Sequence, residues 1–356
     1  MPSCFAKEAS MRSVITRYAL LIGLFAGGGS LLANDYLEEA CCPYEGCSPL
    51  EEWCSGEFVF AGELLYWQPF VTALTYATTN DLTSLGGFSV PTNRTSHDVT
   101  FDFSPGFRII SAYELPESGW DLKTRWTHLR ASGKDSVEGE SLIILWDITT
   151  ALEVVSSASS KMTTKLDYVD INLGKTWSVC GCFDFHPFFG GCYYRLNVQE
   201  AITYVGTLPD AAAASADVLL TNFVRGWGAD VGVDGCWHLP GGLGIYGSSC
   251  FSTIMANFSL GENEVIIAPA VPADNIEVFS NNTLRSIKEM IALNIGIKWR
   301  RDFCCCHYPL QLNLFAGYEL NYFFNHIQLT ISKGNESNLS GDVSFRGLTA
   351  GASLTF

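Results

Sequence analysis

The 356-residue sequence predicts an all-β protein, a transmembrane antiparallel β-barrel of at least ten strands and at most about sixteen. Apolar and polar residues alternate with a period of two over segments of about ten residues, the length of a tilted strand that crosses a bilayer. The connections between these segments are alternately short and long. Only 16% of the residues are charged and 47% are hydrophobic. A soluble domain has about 25% charged residues, so the composition favours a membrane protein.

The amino-terminal segment has the form of an export signal. Arg12 and Arg17 precede an apolar stretch, Tyr18–Leu32, which is followed by Ala33 and polar residues. The stretch is too short and too rich in glycine for a good membrane-spanning helix, although an uncleaved anchor is the alternative. We therefore predict a signal peptide over residues 1–33, with Met11 as an alternative start, and an exported chain located in the bacterial outer membrane.

The mature chain divides into a cysteine-rich periplasmic segment, residues 34–56, and the barrel, residues 57–356. Removal of the signal leaves 12 of the 13 cysteines, and an even number in an exported chain indicates disulfides. The sequence is equally compatible with an intermolecular disulfide network and with disulfides within one chain. Ten cysteines lie before the first strand or near the short turns and are the disulfide candidates: Cys41, Cys42, Cys47, Cys54, Cys180, Cys182, Cys236, Cys304, Cys305 and Cys306. The Cys304–His307 run lacks a second ligand pair, so we expect no metal and no other cofactor.

Ten segments alternate clearly enough to be predicted as strands. The clearest begins at Leu310, where leucine, alanine and tyrosine occupy every second position as far as Tyr322. The ten segments are Glu57–Gln68, Phe101–Ile109, Trp120–Trp126, Val169–Trp177, Asp184–Val198, Phe223–Trp237, Leu243–Asn257, Ile287–Trp299, Leu310–Tyr322 and Asp342–Phe356.

The connections predict the topology. Four short turns are Glu114–Gly119, Ser178–Phe183, Leu239–Gly242 and Arg300–Pro309, and five long connections are Pro69–Asp98, Ala131–Lys161, Gln199–Leu220, Phe258–Arg285 and Phe324–Gly341. Short periplasmic turns and long extracellular loops are typical of outer-membrane barrels. Apolar runs inside the long connections could add hairpins at Ser141–Trp146, Ala151–Val155 and Val265–Val271. A barrel must close, because hydrocarbon offers no partner to unpaired backbone groups.

The polar face of the predicted strands carries charges of both signs. If this face points inward, the predicted pore-lining residues are Asp102, Arg108, Asp121, Lys123, Arg125, Asp170, Asp230, Asp234, Lys298, Glu319 and Arg346. Opposed acidic and basic residues would pass small hydrophilic solutes with weak selectivity. The alternative is that these charges pair across a narrow lumen and close it.

Several short patterns resemble the pore-forming major outer membrane protein family of Legionella and chlamydia-like bacteria. They include Gly62–Trp67, Gly106–Arg108, Gly119–Leu122, Leu166–Gly174 and His186–Gly191, scattered over the mature chain. The resemblance implies an outer-membrane porin for small hydrophilic solutes that is also a structural and surface protein. The high cysteine number departs from the Legionella pattern and resembles chlamydial envelopes, in which disulfides cross-link outer-membrane proteins.

The expected partners follow from this reading. They are outer-membrane lipid, the assembly machinery through the carboxy-terminal strand ending at Phe356, and disulfide-linked envelope proteins or further copies of the chain. Nucleic acid is excluded as a partner by the formal net charge of −16. The alternative function is a non-conducting structural protein or adhesin. A barrel hydrolase with His97, His128 or His326 at the extracellular rim is a distant third, so we do not expect an enzyme.

Overall fold

The computed structural model describes residues 57–85, 88–116, 118–139, 142–143, 154–207, 213–267, 276–305, 308–331 and 337–356. The predicted signal peptide and the cysteine-rich segment lie outside the described residues. By its contacts the chain divides into two units, Met1–Pro49 with Cys180–Cys182, and Leu50–Val179 with Phe183–Phe356. The second unit contains the strands. In the described part of the chain no helix is long and apolar enough to span a membrane.

Alternating residues build fourteen strands over the described residues. Their bounds are β1 Phe58–Val71, β2 Thr75–Leu85, β3 Phe88–Asp98, β4 Ser104–Glu114, β5 Trp120–Glu138, β6 Leu142–Ile143, β7 Val154–Lys175, β8 Trp177–Val179, β9 Phe183–Thr207, β10 Ala213–His238, β11 Leu243–Ile267, β12 Ile276–Cys305, β13 Tyr308–Ile331 and β14 Ser337–Thr355. A single 3-10 turn, Pro240–Gly242, links β10 to β11.

Ten of these strands form a closed antiparallel barrel. The order around the wall is β1, β4, β5, β7, β9, β10, β11, β12, β13 and β14, and β14 pairs with β1 from Val59↔Thr355 to Val71↔Val343. The chain end is tied to the first strand by two backbone hydrogen bonds between Phe58 and Phe356, of 2.9 and 3.0 Å. Every wall strand therefore has a partner on both sides, which is what hydrocarbon requires.

All ten predicted strands are confirmed, and most extend beyond their predicted ends. β10 has 26 residues and β12 has 30, whereas about ten suffice to cross a bilayer. Most of the extra length lies in the predicted long connections, and the end of β12 and the start of β13 lie within the predicted turn Arg300–Pro309. The apolar runs expected to form extra hairpins do not widen the wall among the described residues: Val154 and Val155 begin β7, Val265–Ile267 end β11, and Leu142–Ile143 form the short β6.

A small sheet of β2, β3 and β6 follows the first wall strand. β2 and β3 form a hairpin within the predicted long connection Pro69–Asp98, and β6 pairs with β2 through Thr78↔Ile143 and Thr79↔Leu142. The Tyr204 hydroxyl donates a hydrogen bond to the Tyr76 carbonyl, joining this sheet to β9. The sheet therefore belongs to the long-loop end of the barrel.

The barrel has two halves that differ in which face is apolar. In the half next to the short turns, called here the membrane half, the outward side chains are apolar and exposed, including Trp227, Val231 and Ile295. In the half next to the long connections, called the outer half, most inward side chains are apolar and buried, including Leu196 and Val218. The hydrophobic core therefore fills the lumen of the outer half.

Candidate functional site

The lumen of the membrane half contains three clusters of polar and charged side chains in successive layers. Lys123, Arg125 and Thr127 follow one another on β5, and alternate residues of a strand face the same side. Each contributes to a separate cluster, with Lys123 nearest the short turn. Thr127 and Arg125 bond to residues on the adjacent strands β4 and β7, and Lys123 pairs with Asp234 on β10, three strands away along the wall.

The cluster farthest from the short turns is centred on Arg108. Its Nη1 lies 2.8 Å from Glu63 Oε2 on β1, and its Nη2 lies 2.7 Å from Glu319 Oε1 on β13. The Arg108 Nε donates to Thr127 Oγ1 at 2.9 Å, and the guanidinium lies 5.4 Å from the centre of the Trp67 ring. Both carboxylates and the guanidinium are buried. One cation thus pairs with two acids within the lumen.

The middle cluster pairs Arg125 with Asp170. The Arg125 Nε donates to both carboxylate oxygens, at 2.9 and 3.0 Å, and Asn172 Nδ2 donates to the same carboxylate at 2.7 Å. The Tyr168 hydroxyl donates to Asp230 Oδ2 at 3.2 Å. Asp170 and Asp230, both predicted to line the pore, are therefore buried and hydrogen-bonded inside the barrel.

The cluster nearest the short turns is more open to solvent. Lys123 Nζ lies 3.2 Å from Asp234 Oδ2, and the ring of His186 bridges Asp121, at 2.6 Å, and Asp234, at 3.4 Å. Gly174 makes room for this ring, because a Cβ at that position would lie 2.2 Å from His186 Nε2. The short-turn end of the lumen is therefore polar and partly exposed to solvent.

The structure places most of the predicted lining residues inside the barrel, but Asp102 and Arg346 lie outside the lumen. Lys298 faces inward with its strand's other even-numbered residues. Asp102 is exposed and lies before β4, outside any strand. Arg346 is also exposed and faces outward, in phase with Leu348 and Leu354, because its neighbours Phe345 and Gly347 take the inward positions. The alternation that placed the leucines outward should have placed Arg346 with them.

Sequence reasoning missed Glu63 and His186 as members of the lumen clusters. Glu63 lies between Leu64 and Gly62 in a strand whose two faces are both largely apolar, which hides the inward phase. The sequence feature that could have identified Glu63 is that it is the single acidic residue in an apolar strand. His186 entered the sequence analysis only within the pattern His186–Gly191, with no role assigned to its side chain.

Beyond the Arg108 cluster, buried aromatic side chains, called here the apolar plug, pack against one another inside the barrel. Tyr194 on β9 lies 5.8 Å, ring centre to ring centre, from Phe323 on β13, and Phe323 lies 5.9 Å from Phe345. Asn222 Nδ2 on β10 donates to the His326 carbonyl on β13 at 3.1 Å. A cavity of about 20 Å³ lies among the Arg108 cluster, the middle cluster and Phe323 of the plug, and it has room for about one water molecule.

Glu200 and His326 are two of the ionisable groups buried inside the outer half, where Glu262 and Glu264 are buried as well. Burial raises the pKa of Glu200 to about 7, although Ser160 donates a hydrogen bond to its Oε1 at 2.8 Å. Burial lowers the pKa of His326 to about 3, and its Nδ1 lies 2.9 Å from the Phe324 carbonyl. His326 was expected at the extracellular rim, and this expectation is wrong because its side chain packs against Tyr194 and Phe323.

The described cysteines fall into three groups. Cys192, Cys236 and Cys250 are buried free thiols, so a disulfide at Cys236 stays a prediction. Cys180 and Cys182, in the turn between β8 and β9, each make an interaction. Cys304 and Cys305 end β12. The candidates Cys41, Cys42, Cys47, Cys54 and Cys306 lie outside the described residues. Within the described ranges no group of three or more histidine, cysteine or acidic side chains is arranged to hold a metal ion.

Comparison with known proteins identifies the family. The model of the family described as Legionella pneumophila major outer membrane protein precursor matches residues 54–356. A search of curated proteins finds no significant match.

Solved outer-membrane proteins resemble the chain only distantly. The outer membrane protease OmpT of Escherichia coli is 7% identical, with a TM-score of 0.44, over 87% of this chain and 99% of that one. A major outer membrane protein of Thermus thermophilus is 9% identical, with a TM-score of 0.29, over 85% of this chain and 100% of that one. These values carry no argument about activity.

Proposed function

The chain belongs to the Legionella pneumophila major outer membrane protein family, and we propose that it acts chiefly as a structural barrel of the outer membrane with a closed lumen. The observation that carries the proposal is the apolar plug. Tyr194, Phe323 and Phe345 are completely buried; Tyr194 on β9 meets Phe323 on β13 across the lumen, and Phe323 packs against Phe345 on the neighbouring β14.

Opening the plug requires a large free energy. Exposing one large apolar side chain costs about 1.5–3 kcal/mol, so moving the three aromatic rings aside costs about 5–9 kcal/mol. Every 1.4 kcal/mol is a factor of about ten in population, and an open state at this cost is populated at less than about one part in a thousand. A structural role does not require that state.

A specific observation favours a second candidate, the diffusion porin. The membrane half holds three layers of opposed charges, and buried ion pairs contribute little net stability compared with apolar packing. Rings of opposed charges are what weakly selective pores use. In this candidate the clusters form the constriction, and the plug would have to move before small hydrophilic solutes pass.

We also propose that disulfides support the envelope role. Cys192 and Cys250 are buried thiols within strands, and the candidates for linkage within or between chains are the amino-terminal cysteines, Cys180, Cys182, Cys236 and Cys304–Cys306. Reduction should then convert slowly migrating species on a non-reducing gel to the monomer. A single monomer band before and after reduction would remove the intermolecular part of the proposal.

We propose no catalytic role. Two of the three rim candidates are engaged in local contacts, because His97 Nε2 lies 3.2 Å from Thr79 Oγ1 and His128 Nδ1 lies 2.6 Å from Asp167 Oδ1. His128 faces outward from the wall, and His326 is buried. Assembly through the last strand also stays a proposal, supported by the outward Leu348, Leu354 and Phe356 of that strand.

Single-channel recording of residues 34–356, refolded and inserted into a planar bilayer, tests the closed lumen. The wild-type chain should give no stable ohmic steps. The double variant Tyr194→Ala/Phe323→Ala removes the plug and should give steps or bursts, which shows that the recording detects an opened lumen. Stable ohmic steps from the wild-type chain would favour the porin over the closed structural barrel.

A further inference from the structure

The outward face of the barrel changes from apolar to basic at matched positions on neighbouring strands. Arg225 on β10 pairs directly with Arg195 on β9 and with Asn257 on β11, and Asn257 pairs with Arg285 on β12. These four residues, called here the basic row, all point away from the lumen, and the three arginines are exposed. They cross four adjacent strands at one level.

The row directly below marks the edge of the membrane half. Trp227 pairs with Tyr193 and Met255, and Met255 pairs with Ile287. All four are large, exposed and outward, with Trp227 at 70%. From this row toward the short turns, apolar residues dominate the outward positions for 11 residues on β10, Trp227–Trp237, which is the span of a membrane-crossing strand. The basic row therefore lies where hydrocarbon gives way to headgroups.

Among the described residues the charges of the basic row have little compensation, with Asp167 beside Arg195 as the nearest acid in register. Arg195 and Arg225 are directly opposite each other, and like charges in this position repel. Among the described residues, neither Arg225 nor Arg285 forms an ion pair with an acidic side chain. The Arg195 Nε donates to the Tyr193 hydroxyl at 2.8 Å, which holds this guanidinium over the tyrosine ring.

Few acidic groups face the row from the neighbouring strands. Asp167 on β7 pairs with Arg195 in register, but its carboxylate lies 2.6 Å from His128 Nδ1 and 3.5 Å from Lys165 Nζ. Glu289 on β12 is outward and two positions below Ile287 in the same face. A local excess of cations in a chain of net charge −16 points to an anionic ligand.

We propose that the basic row binds the phosphate groups of an anionic lipid headgroup in the leaflet at the long-loop side, with the lipid's acyl chains against Trp227, Met255 and Ile287. Arginine presents a planar fork that matches phosphate oxygens. Adjacent strands are about 4.8 Å apart, so the row presents its three guanidinium groups over about 15 Å. The apolar row beneath selects a lipid over a free phosphate ion.

The test uses the refolded chain in detergent micelles, titrated with diphosphoryl lipid A and followed by native mass spectrometry. Arg225→Gln/Arg285→Gln should weaken lipid A binding at least tenfold. The matched control is Lys134→Gln/Lys161→Gln, a pair of exposed lysines directly opposite each other farther out on β5 and β7, which should leave binding within twofold of wild type.

Two further titrations separate the sources of phosphate. A synthetic lipid A without phosphates should bind at least tenfold more weakly, and inorganic phosphate at the concentration of the lipid should not displace it. Equal binding by the arginine variant, equal binding of the phosphate-free lipid, or displacement by inorganic phosphate would each overturn the proposal.

Discussion

The membrane half and the outer half of this barrel are built from the same strands, yet they place their apolar residues on opposite faces. On β10 the outward positions hold Trp227 and Val231 in the membrane half but Asp217 in the outer half, while the inward positions change from Asp230 to Val218. The side-chain phase never shifts along the strand. Only the chemistry of each face changes.

The difference shows that the surroundings of the wall, rather than the strand, determine which face is apolar. Hydrocarbon surrounds the membrane half, so its lumen can hold the ion pairs of Arg108, Arg125 and Lys123. Water surrounds the outer half, so the hydrophobic effect favours apolar side chains in its interior, as in a soluble domain. The plug lies in the outer half, and the basic row lies at the boundary between the two halves.

A charge in the core of the outer half should give the largest effect. Val218 is 1% exposed and inward, whereas Leu219 beside it is 43% exposed and outward. Val218→Asp buries an unpaired carboxylate and should lower the free energy of unfolding by about 4 kcal/mol or more, measured by denaturant titration of the refolded barrel. Leu219→Asp should change it by less than about 1 kcal/mol. Similar losses in both variants would contradict the facing assigned to the outer half.

Removal of Arg108 tests the lumen of the membrane half. Arg108→Ala leaves Glu63 and Glu319 buried without their cation, and breaking a buried ion pair in this way costs about 3–5 kcal/mol. The same titration should show a change below about 1 kcal/mol for Arg346→Ala, because Arg346 is exposed. If Arg346 proved the more costly loss, the inward and outward positions would be exchanged.

Arginine substitutions at two outward leucines of equal exposure, one in each half, compare the surroundings of the two halves directly. Leu293 in the membrane half and Leu219 in the outer half are each 43% exposed and outward. Leu293→Arg should cost about 2–4 kcal/mol, as for arginine facing lipid near the bilayer midplane. Leu219→Arg faces water and should cost less than about 1 kcal/mol. Equal losses of stability in the two variants would mean that both positions face the same surroundings, which contradicts the division into two halves.

Much of the fold was predictable from the sequence, because period-2 alternation reports a two-faced strand directly. The ten wall strands followed from it, and so did the inward positions of Arg108, Asp170 and Glu319. The long strand extensions were not predictable in the same way. Residues such as Ser157–Thr163 on β7 place serine and threonine outward, and a loop has the same composition.

The closed lumen could not be read from the sequence, because alternation gives the face of a side chain but not its partner across the barrel. Arg108 meets Glu319 from a strand more than 200 residues away, and the plug joins Tyr194 to Phe323 only after the barrel closes. The charges were therefore compatible with either an open or a sealed pore. Arg346 was misplaced by a single-residue error in phase, which moves a side chain to the other face.

The smallest predicted effect concerns pH and the outer half alone. The pKa of Glu200 is about 7 in the folded barrel and 4.5 as an ordinary glutamate, so the folded state retains a proton that the unfolded state loses between these values. Stability should therefore fall as pH rises from about 4.5 to 7 and then level off. Glu200→Gln should be more stable than wild type by about 1–3 kcal/mol at pH 8 and equal to it at pH 4. A constant difference at both values would show that Glu200 does not titrate in this way.

The most direct test of the two-halved barrel is photo-crosslinking in lipid bilayers with p-benzoylphenylalanine at Val231 or at Leu219, both outward on β10. Mass spectrometry after irradiation should find lipid adducts on the Val231 variant and none on the Leu219 variant. Lipid adducts at both positions, or at Leu219 alone, would contradict the assignment of the membrane to the short-turn half.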